Sequence, residues 1–103
     1  IKPSLATYQL AVFPLLRNKP ELVAKAEKIY QSLRSSFRVT FDDRGNIGKR
    51  YLSQDEIGTP FCITVDFDSL ENDTVTIRHR NTTKQELVSI DKITEYLDKI
   101  INL

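Results

Sequence analysis

The sequence predicts a three-layer α/β/α sandwich built on a five-stranded mixed sheet with one antiparallel strand. The mostly apolar run Thr7–Leu16 is typical of a strand that is covered on both faces. Helically spaced apolar residues follow it and lead to a second short strand, which is the pattern of a parallel βαβ unit. Two later runs alternate with the period of a strand. The 103 residues suffice for one core, so we expect a single domain over residues 1–103. Because the sequence lacks an initiator methionine, we expect it to be a fragment excised from a longer chain or a processed chain.

The first βαβ unit occupies the first 41 residues. Pro14 is expected to end the first strand, since it cannot donate to the ladder. A helix is expected to begin at Asn18–Glu21, where Asn18 can cap, Pro20 suits the first turn and Glu21 favours the positive end of the dipole. The second strand is Phe37–Phe41. The apolar face of the helix consists of Leu22, Val23, Ala26, Ile29, Tyr30 and Leu33.

A second helix and a hairpin follow the turn cluster Asp42–Asn46. The helix is expected over Ile47–Ile57, with Gly58 at its C-terminal cap. The runs Phe61–Asp68 and Thr74–Arg80 both alternate, and their short connection predicts an antiparallel hairpin. A last short strand, Glu86–Ile90, leads to a C-terminal helix whose apolar stripe is Ile90, Ile93, Leu97, Ile100 and Ile101.

One face of the predicted hairpin is polar. Its side chains are Thr64, Asp66, Thr76, Arg78 and Arg80. We expect this face to be open near the edge of the sheet, because a hairpin that is buried on both sides would not carry it. An ordinary solvated face with an Asp–Arg pair is the alternative. Phe67, at the expected strand end, is either a stacking platform for a base or a lid on the core.

The sequence argues against catalysis and metal binding in this domain. Cys62 and His79 are the only residues of their types, and their positions predict opposite faces of neighbouring strands, so neither a Cys–His dyad nor a zinc site is expected. Gly45–Arg50 lacks the spacing of a phosphate-binding loop. A single cysteine excludes an internal disulfide and favours a reducing compartment. No apolar run is long enough to cross a bilayer.

Charge is unevenly distributed along the chain. There are seven basic and two acidic residues up to Phe41, but six basic and ten acidic from Asp42 to Asp91. The net charge of +1 excludes non-specific coating of nucleic acid by charge alone. It leaves open the reading of a few exposed bases, where stacking and hydrogen bonds to base edges carry recognition.

Four runs carry a family resemblance: Ile47–Tyr51 (IGKRY), Gln54–Phe61 (QDEIGTPF), Thr64–Asp68 (TVDFD) and Val75–Arg80 (VTIRHR). Together they closely resemble the C-terminal anticodon-binding domain of class II glycyl-tRNA synthetase, in its dimeric form. Tyr8–Leu15 is similar to the opening strand of that family, so the resemblance covers nearly the whole chain. It implies the class II synthetase anticodon-binding fold, in agreement with the prediction above.

The resemblance also implies the partners. They are the anticodon stem-loop of a glycine tRNA and a catalytic domain in the same chain, in a cytoplasmic enzyme. ATP and magnesium are expected only in that catalytic domain, which is absent here, so this domain has no cofactor and no catalytic residue. The isolated domain is expected to be monomeric and the full enzyme homodimeric. The alternative is a stand-alone or accessory-subunit interaction module with the same fold.

Seven residues are candidates for RNA binding. Glycine anticodons carry cytosines at the second and third positions, and Asp66 or Glu71 could accept a hydrogen bond from a cytosine amine. Arg78 or Arg80 could donate to the ring acceptors. The remaining candidates are Phe67 for stacking, and Lys49 and Arg50 for backbone phosphate.

This chain departs from the family's pattern at three places. The run Arg78–Asn81 reads RHRN, where the family usually shows Arg-Asp-Arg-Asp. After Tyr51 the family often has a further basic residue, where this chain has Leu52 and Ser53, and Leu87 stands where the family usually has an arginine. These changes are expected to alter RNA contacts or the contact with the catalytic domain.

Overall fold

A computed structural model describes residues 2–101 of the chain. The strands are β1 (Leu10–Pro14), β2 (Val39–Phe41), β3 (Phe61–Val65), β4 (Thr74–His79) and β5 (Gln85–Ser89). They form one sheet in the order β2-β1-β3-β4-β5. β1 is parallel to β2 and β3, whereas β4 is antiparallel to both of its neighbours. The mixed sheet with one antiparallel strand is therefore confirmed.

Helices cover both faces of the sheet and make the three predicted layers. They are α1 (Pro20–Leu33), α2 (Ile47–Ile57), α3 (Phe67–Asn72) and α4 (Ile93–Ile101), with short 3-10 turns at Pro3–Leu5 and Ile90–Lys92. The main core lies between one sheet face and the buried stripes of α1 and α4. On the opposite face Ala11, Phe13 and Cys62 pack against α2. Among the described residues α2 covers β1 and β3 on this face, and it leaves β5 and part of β4 uncovered.

Local signals set the ends of α2 as predicted. The Asn46 side chain accepts a hydrogen bond from the Lys49 backbone N–H at 2.9 Å. Gly58 ends the helix in the left-handed region with φ of 81°, which a residue without Cβ adopts at little cost. In α1 the prediction was partly wrong: Pro20 is the first helical residue, but the N-cap is Lys19 and its side chain makes no capping hydrogen bond. Asn18 therefore does not cap α1.

β3 ends at Val65, three residues before the expected end, because the next residues form a capping box. The Asp66 carboxylate accepts a hydrogen bond from the Ser69 backbone N–H at 3.2 Å, and the Ser69 hydroxyl accepts one from the Asp66 N–H at 3.0 Å. These reciprocal bonds start a helix. Phe67 and Asp68 consequently lie in α3 and not in the strand, and the expected short connection to β4 consists of this helix.

We expect Asp66→Ala to lower the free energy of unfolding by about 1 kcal/mol, because the first turn of α3 loses its side-chain cap. Asp66→Asn should recover most of this loss, since an asparagine amide oxygen also caps. Urea unfolding followed by circular dichroism measures both variants. Equal losses in the two variants would show that the negative charge, and not the cap, is what matters at this position.

Candidate nucleic-acid interface

The face of the sheet beside α2 is uncovered over β5 and part of β4. Strand pairing places Thr76 opposite Leu87 and Arg78 opposite Gln85, and residues paired in this way share a face. We call these four side chains the bare face. Leu87 is exposed, with 66% of its surface accessible. The bare face therefore exposes the Gln85 amide and one aliphatic side chain to solvent, whereas Thr76 and Arg78 are half-buried.

The predicted open polar face is only half open, because α2 closes its other half. Thr64 pairs with Thr76 and shares its face, but Thr64 is buried. Its hydroxyl is hydrogen-bonded to the Tyr51 hydroxyl of α2 at 2.5 Å. The expectation of an open face is thus wrong for β3 and only partly correct for β4, where Thr76 and Arg78 are half-buried.

Arg78 joins the bare face to α2. Its Nη1 and Nη2 donate to the two carboxylate oxygens of Asp55 at 3.0 and 3.1 Å, and its Cζ lies 4.9 Å from the centroid of the Tyr51 ring. The hydrogen bond with Asp55 raises the pKa of the Arg78 guanidinium above its usual value. The side chain is only 14% exposed. The donor fork expected to read a cytosine edge is therefore occupied by Asp55, and the partner in the Asp–Arg pair is not Asp66.

Arg80 lies just beyond β4, at the amino end of β3. Its backbone N–H donates to the Pro60 carbonyl at 2.9 Å, and its Nε donates to the Asp55 carbonyl at 3.0 Å. The side chain is exposed and lines an indentation of about 290 Å³ together with Gly58, Pro60 and Asn81. Arg80 is thus fixed at one end of its guanidinium and accessible at the other.

Asp66, Phe67 and Glu71 lie at the opposite end of the sheet from Arg80. The Asp66 carboxylate caps α3, Glu71 is exposed on that helix, and Phe67 is its first residue with 48% of its surface accessible. Phe67 is therefore not a lid on the core. From Pro60 to Asp66 the chain advances six residues, about 20 Å along a strand. One cytosine cannot contact both Asp66 and Arg80, so that combination, allowed by the sequence, is excluded.

The Arg50 side chain is buried, so the expected phosphate contact is wrong for this residue. Only 2% of Arg50 is exposed. Its guanidinium donates to the carbonyls of Pro14, Leu15 (3.2 Å) and Gly45 (3.4 Å). Burial lowers the pKa of this guanidinium below its usual value. Lys49, the preceding residue, is exposed in the first turn of α2 and remains available for a phosphate.

Asp42 is buried beneath α2 and has a structural role. Its carboxylate accepts hydrogen bonds from the Arg44 backbone N–H and Nε at 3.0 and 3.1 Å, and from Gln54 Nε2 at 3.5 Å. Burial alone raises the pKa of Asp42, but the hydrogen bonds from Arg44 outweigh this effect, and the net pKa lies below the ordinary value of 3.8. An ionised carboxylate with these partners stabilises the turn between β2 and α2 and is not a general base.

The lowered pKa of Asp42 predicts a pH-dependent contribution to stability. A folded-state pKa below the unfolded value stabilises the protein above pH 3.8, and this contribution is lost as the pH falls through the folded pKa. We expect Asp42→Asn to cost about 1 kcal/mol at neutral pH, with a smaller difference from the natural chain below pH 3.8. Urea titrations from pH 2.5 to pH 7 measure this difference. A difference that is constant across the range would contradict the prediction.

Cys62 and His79 lie on opposite faces of the sheet, as predicted. Cys62 packs beneath α2, and burial raises the pKa of its thiol to about 12, so it is protonated at neutral pH. His79 Nε2 is hydrogen-bonded at 2.7 Å to the hydroxyl of Tyr96 in α4, and that hydroxyl donates to Glu86 at 2.6 Å.

No group of three or more metal-binding side chains occurs within residues 2–101. No helix in that part of the chain is long and apolar enough to span a membrane.

The sequence reasoning missed Tyr51, Asp55 and Leu87. Tyr51 and Asp55 are four residues apart on a correctly predicted helix, which places them on the same side. This spacing was the signal in the sequence that could have identified Tyr51 and Asp55 as neighbours on one side of α2. Leu87 was noted only as the loss of a basic residue, and its exposure follows from the side of the sheet that α2 leaves uncovered.

Comparison with known protein families and structures gives a consistent result. The profile described as an anticodon binding domain matches residues 9–100. The glycine–tRNA ligase of Streptomyces coelicolor is 55% identical over 97 residues, which cover 94% of this chain and 21% of that protein. The glycine–tRNA ligase of Cutibacterium acnes is 58% identical over 97 residues, covering 94% of this chain and 20% of that protein. The chain therefore spans about a fifth of the length of the curated relatives that it matches.

A solved structure shares the fold. The RNA binding domain of threonyl-tRNA synthetase from Cryptosporidium parvum Iowa II superposes with a TM-score of 0.86. The match covers 97% of this chain and 25% of that one, at 20% sequence identity. At this identity the likeness concerns the arrangement of strands and helices alone.

Proposed function

This chain belongs to the anticodon-binding domain family, and on that premise we propose that it binds the anticodon stem-loop of a glycine tRNA as one domain of a glycine–tRNA ligase. The observation that carries the proposal is the identity of 55% and 58% to two glycine–tRNA ligases over 94% of the chain. The bare face and the exposed Arg80 guanidinium supply the kind of surface that unpaired bases need.

The proposal assigns the chemistry of the whole enzyme to another domain. That catalytic domain would use ATP and magnesium to join glycine to the tRNA, and this domain would provide neither a catalytic residue nor a cofactor site. We further propose that the catalytic domain is its partner within one cytoplasmic chain, that the full enzyme is a homodimer, and that the present chain alone is a monomer.

Exposed groups take distinct roles in this proposal. Lys49, at the amino end of α2, would contact backbone phosphate, which positions the RNA without reading its sequence. Arg80 would donate to the ring acceptors of a cytosine. Phe67 offers a stacking surface at the far end of the sheet. The buried Arg50 and the capping Asp66 would support these groups by holding the surrounding chain in place.

Direct binding measurements test the proposed function. The chain is titrated against a labelled stem-loop with cytosines at the second and third anticodon positions, and against a matched stem-loop whose second position is guanosine. We expect the cytosine loop to bind at least ten-fold more tightly, in keeping with the loss of about 1–3 kcal/mol that a wrong base causes. Equal affinity for both loops, or no binding to either, would contradict recognition of a glycine anticodon by this chain.

A further inference from the structure

We propose that Arg78 and Leu87 form a stacking site for one unpaired RNA base, and that Asp55 and Tyr51 are the positioning residues that hold Arg78 for this purpose. The inference deepens the proposed function and rests on it, because it assumes that RNA lies on the bare face. It replaces the sequence-based expectation that Arg78 reads the edge of a cytosine.

The register of β4 and β5 brings Arg78 and Leu87 together. Leu87 is paired with Thr76, and Arg78 is paired with Gln85, so Leu87 and Arg78 are diagonal neighbours on one face of the hairpin. Diagonal neighbours of this kind lie about 7–8 Å apart, within reach of long side chains. A single base that lies flat on this face can therefore contact both side chains at once.

The Arg78 guanidinium is held by two residues of α2, and 14% of its side chain stays exposed. The Tyr51 ring lies beneath it, with 4.9 Å from the ring centroid to Cζ, and the two oxygens of Asp55 occupy its donor fork. The Tyr51 ring is itself anchored through its hydroxyl to Thr64. A guanidinium whose fork is occupied cannot use that fork on a base edge, but its plane can still stack on a base. Because the plane is already ordered, stacking costs little side-chain entropy.

Leu87 supplies the apolar contact. It is 66% exposed in the middle of a short strand, on the face that no described helix covers. Stacked bases gain from such aliphatic and planar surfaces whatever their identity, since every base has a π-face. The ligand class is therefore an unpaired nucleobase, without a requirement for cytosine. Base-specific reading would then fall to other residues, such as Arg80.

Replacement of single loop nucleotides by abasic units tests the site. The glycine-type stem-loop is made with one abasic unit at each loop position in turn, and each RNA is titrated against the natural chain and against Leu87→Ala. We expect one position where loss of the base weakens binding to the natural chain about ten-fold, whereas exchange of that base for another costs less than two-fold. In Leu87→Ala, which should itself bind three- to ten-fold more weakly, the abasic penalty at that position should shrink to about three-fold or less.

Ile57→Ala is the matched control. Ile57 is an exposed aliphatic residue of α2, 58% accessible, on the side of the helix that carries Arg50 and Gln54 and away from the bare face. This variant should bind as the natural chain does. An abasic penalty that is the same in Leu87→Ala as in the natural chain at every position would overturn the proposal. A base exchange that costs as much as the abasic unit would also overturn it, in favour of edge reading.

Variants of the positioning residues separate stacking from simple charge. Arg78→Lys keeps the charge but loses the plane, and should reduce the abasic penalty at the same loop position as Leu87→Ala does. Asp55→Asn should reduce the abasic penalty partly, because the guanidinium is then held less firmly. Tyr51→Phe retains the ring beneath Arg78 and should keep most of the abasic penalty. An undiminished penalty in Arg78→Lys would overturn the proposal.

A short unstructured RNA distinguishes failure of this inference from failure of the proposed function. A hexamer of cytidine contains unpaired bases but no anticodon loop. If the stem-loop shows no preference for cytosine while the hexamer binds three- to ten-fold more weakly to Leu87→Ala than to Ile57→Ala, the glycine-anticodon function fails and the stacking site stands. If the two variants bind the hexamer and the stem-loop equally, the stacking site is wrong.

Discussion

Replacing Arg50 with methionine is expected to lower the free energy of unfolding by about 3 kcal/mol. Methionine fills much of the volume of the arginine stem, but it donates no hydrogen bond. The carbonyls of Pro14, Leu15 and Gly45 would lose the guanidinium that joins the end of β1 to the turn before α2. A buried acceptor that is left without a donor costs about 1–3 kcal/mol. Arg50→Lys should be intermediate, because one ammonium cannot reach all three carbonyls.

Lys49→Met is the control for Arg50→Met, since Lys49 is the exposed neighbour in the same helical turn. The free energy of unfolding of the Lys49→Met variant should differ from that of the natural chain by less than about 0.5 kcal/mol. Chemical denaturation compares the variants, and an Arg50→Met chain as stable as the natural one would mean that the three carbonyls do not depend on Arg50. For RNA binding we expect the larger direct effect from Lys49→Met, because only Lys49 is exposed. Lys49→Met is expected to reduce the salt dependence of binding by about one unit of slope, as loss of one phosphate contact does.

Arg80→Ala is expected to weaken binding of the glycine-type stem-loop by about 1–3 kcal/mol and to leave the fold intact. The exposed guanidinium is held at Nε by the carbonyl of Asp55, so its two other nitrogens remain directed to solvent at the indentation beside Gly58 and Pro60. From that position they can donate to the oxygen and ring nitrogen of a cytosine. Arg80→Lys should recover only part of the loss, because an ammonium lacks the planar fork.

The base dependence distinguishes Arg80 from a residue that only attracts phosphate. Arg80→Ala should lose affinity for the loop with cytosine at the second anticodon position and lose little for the loop with guanosine there. Lys49→Met should instead weaken both loops alike. If Arg80→Ala binds the cytosine loop as the natural chain does, or loses affinity equally for both loops, Arg80 does not read the base.

The positions of the site residues divide the candidate surface into two ends. Arg80 and Arg78 lie toward the amino end of β3, next to the end of α2 that contains Asp55. Lys49, Asp66 and Phe67 lie toward the carboxyl end, where α2 and α3 begin. An RNA loop that contacts both ends must extend along the bare face between them. In this arrangement the groups at the two ends of the sheet would contact different nucleotides.

Much of the fold followed from signals within a few residues. Asn46 and Gly58 bound α2 at the predicted residues, because a cap and a left-handed glycine act locally. Alternation identified β3 and β4 as strands, and their short connection identified them as an antiparallel pair. The prediction failed at Asp66, where alternation continued but a capping box turned the chain into α3. Two local signals competed there, and the reciprocal hydrogen bonds of Asp66 and Ser69 prevailed over a periodicity that needs a partner strand.

The sequence alone determined the fold class and the family resemblance, because these depend on periodicity, caps and motifs read along the chain. Only the tertiary structure decided which charged side chains are free. Arg50 donates to a carbonyl 36 residues away, and Arg78 pairs with a carboxylate 23 residues away. The same residue types would be solvated on another helix face or with another strand neighbour. Their availability for RNA is set by what packs on them, and that packing joins parts of the chain that no local pattern connects.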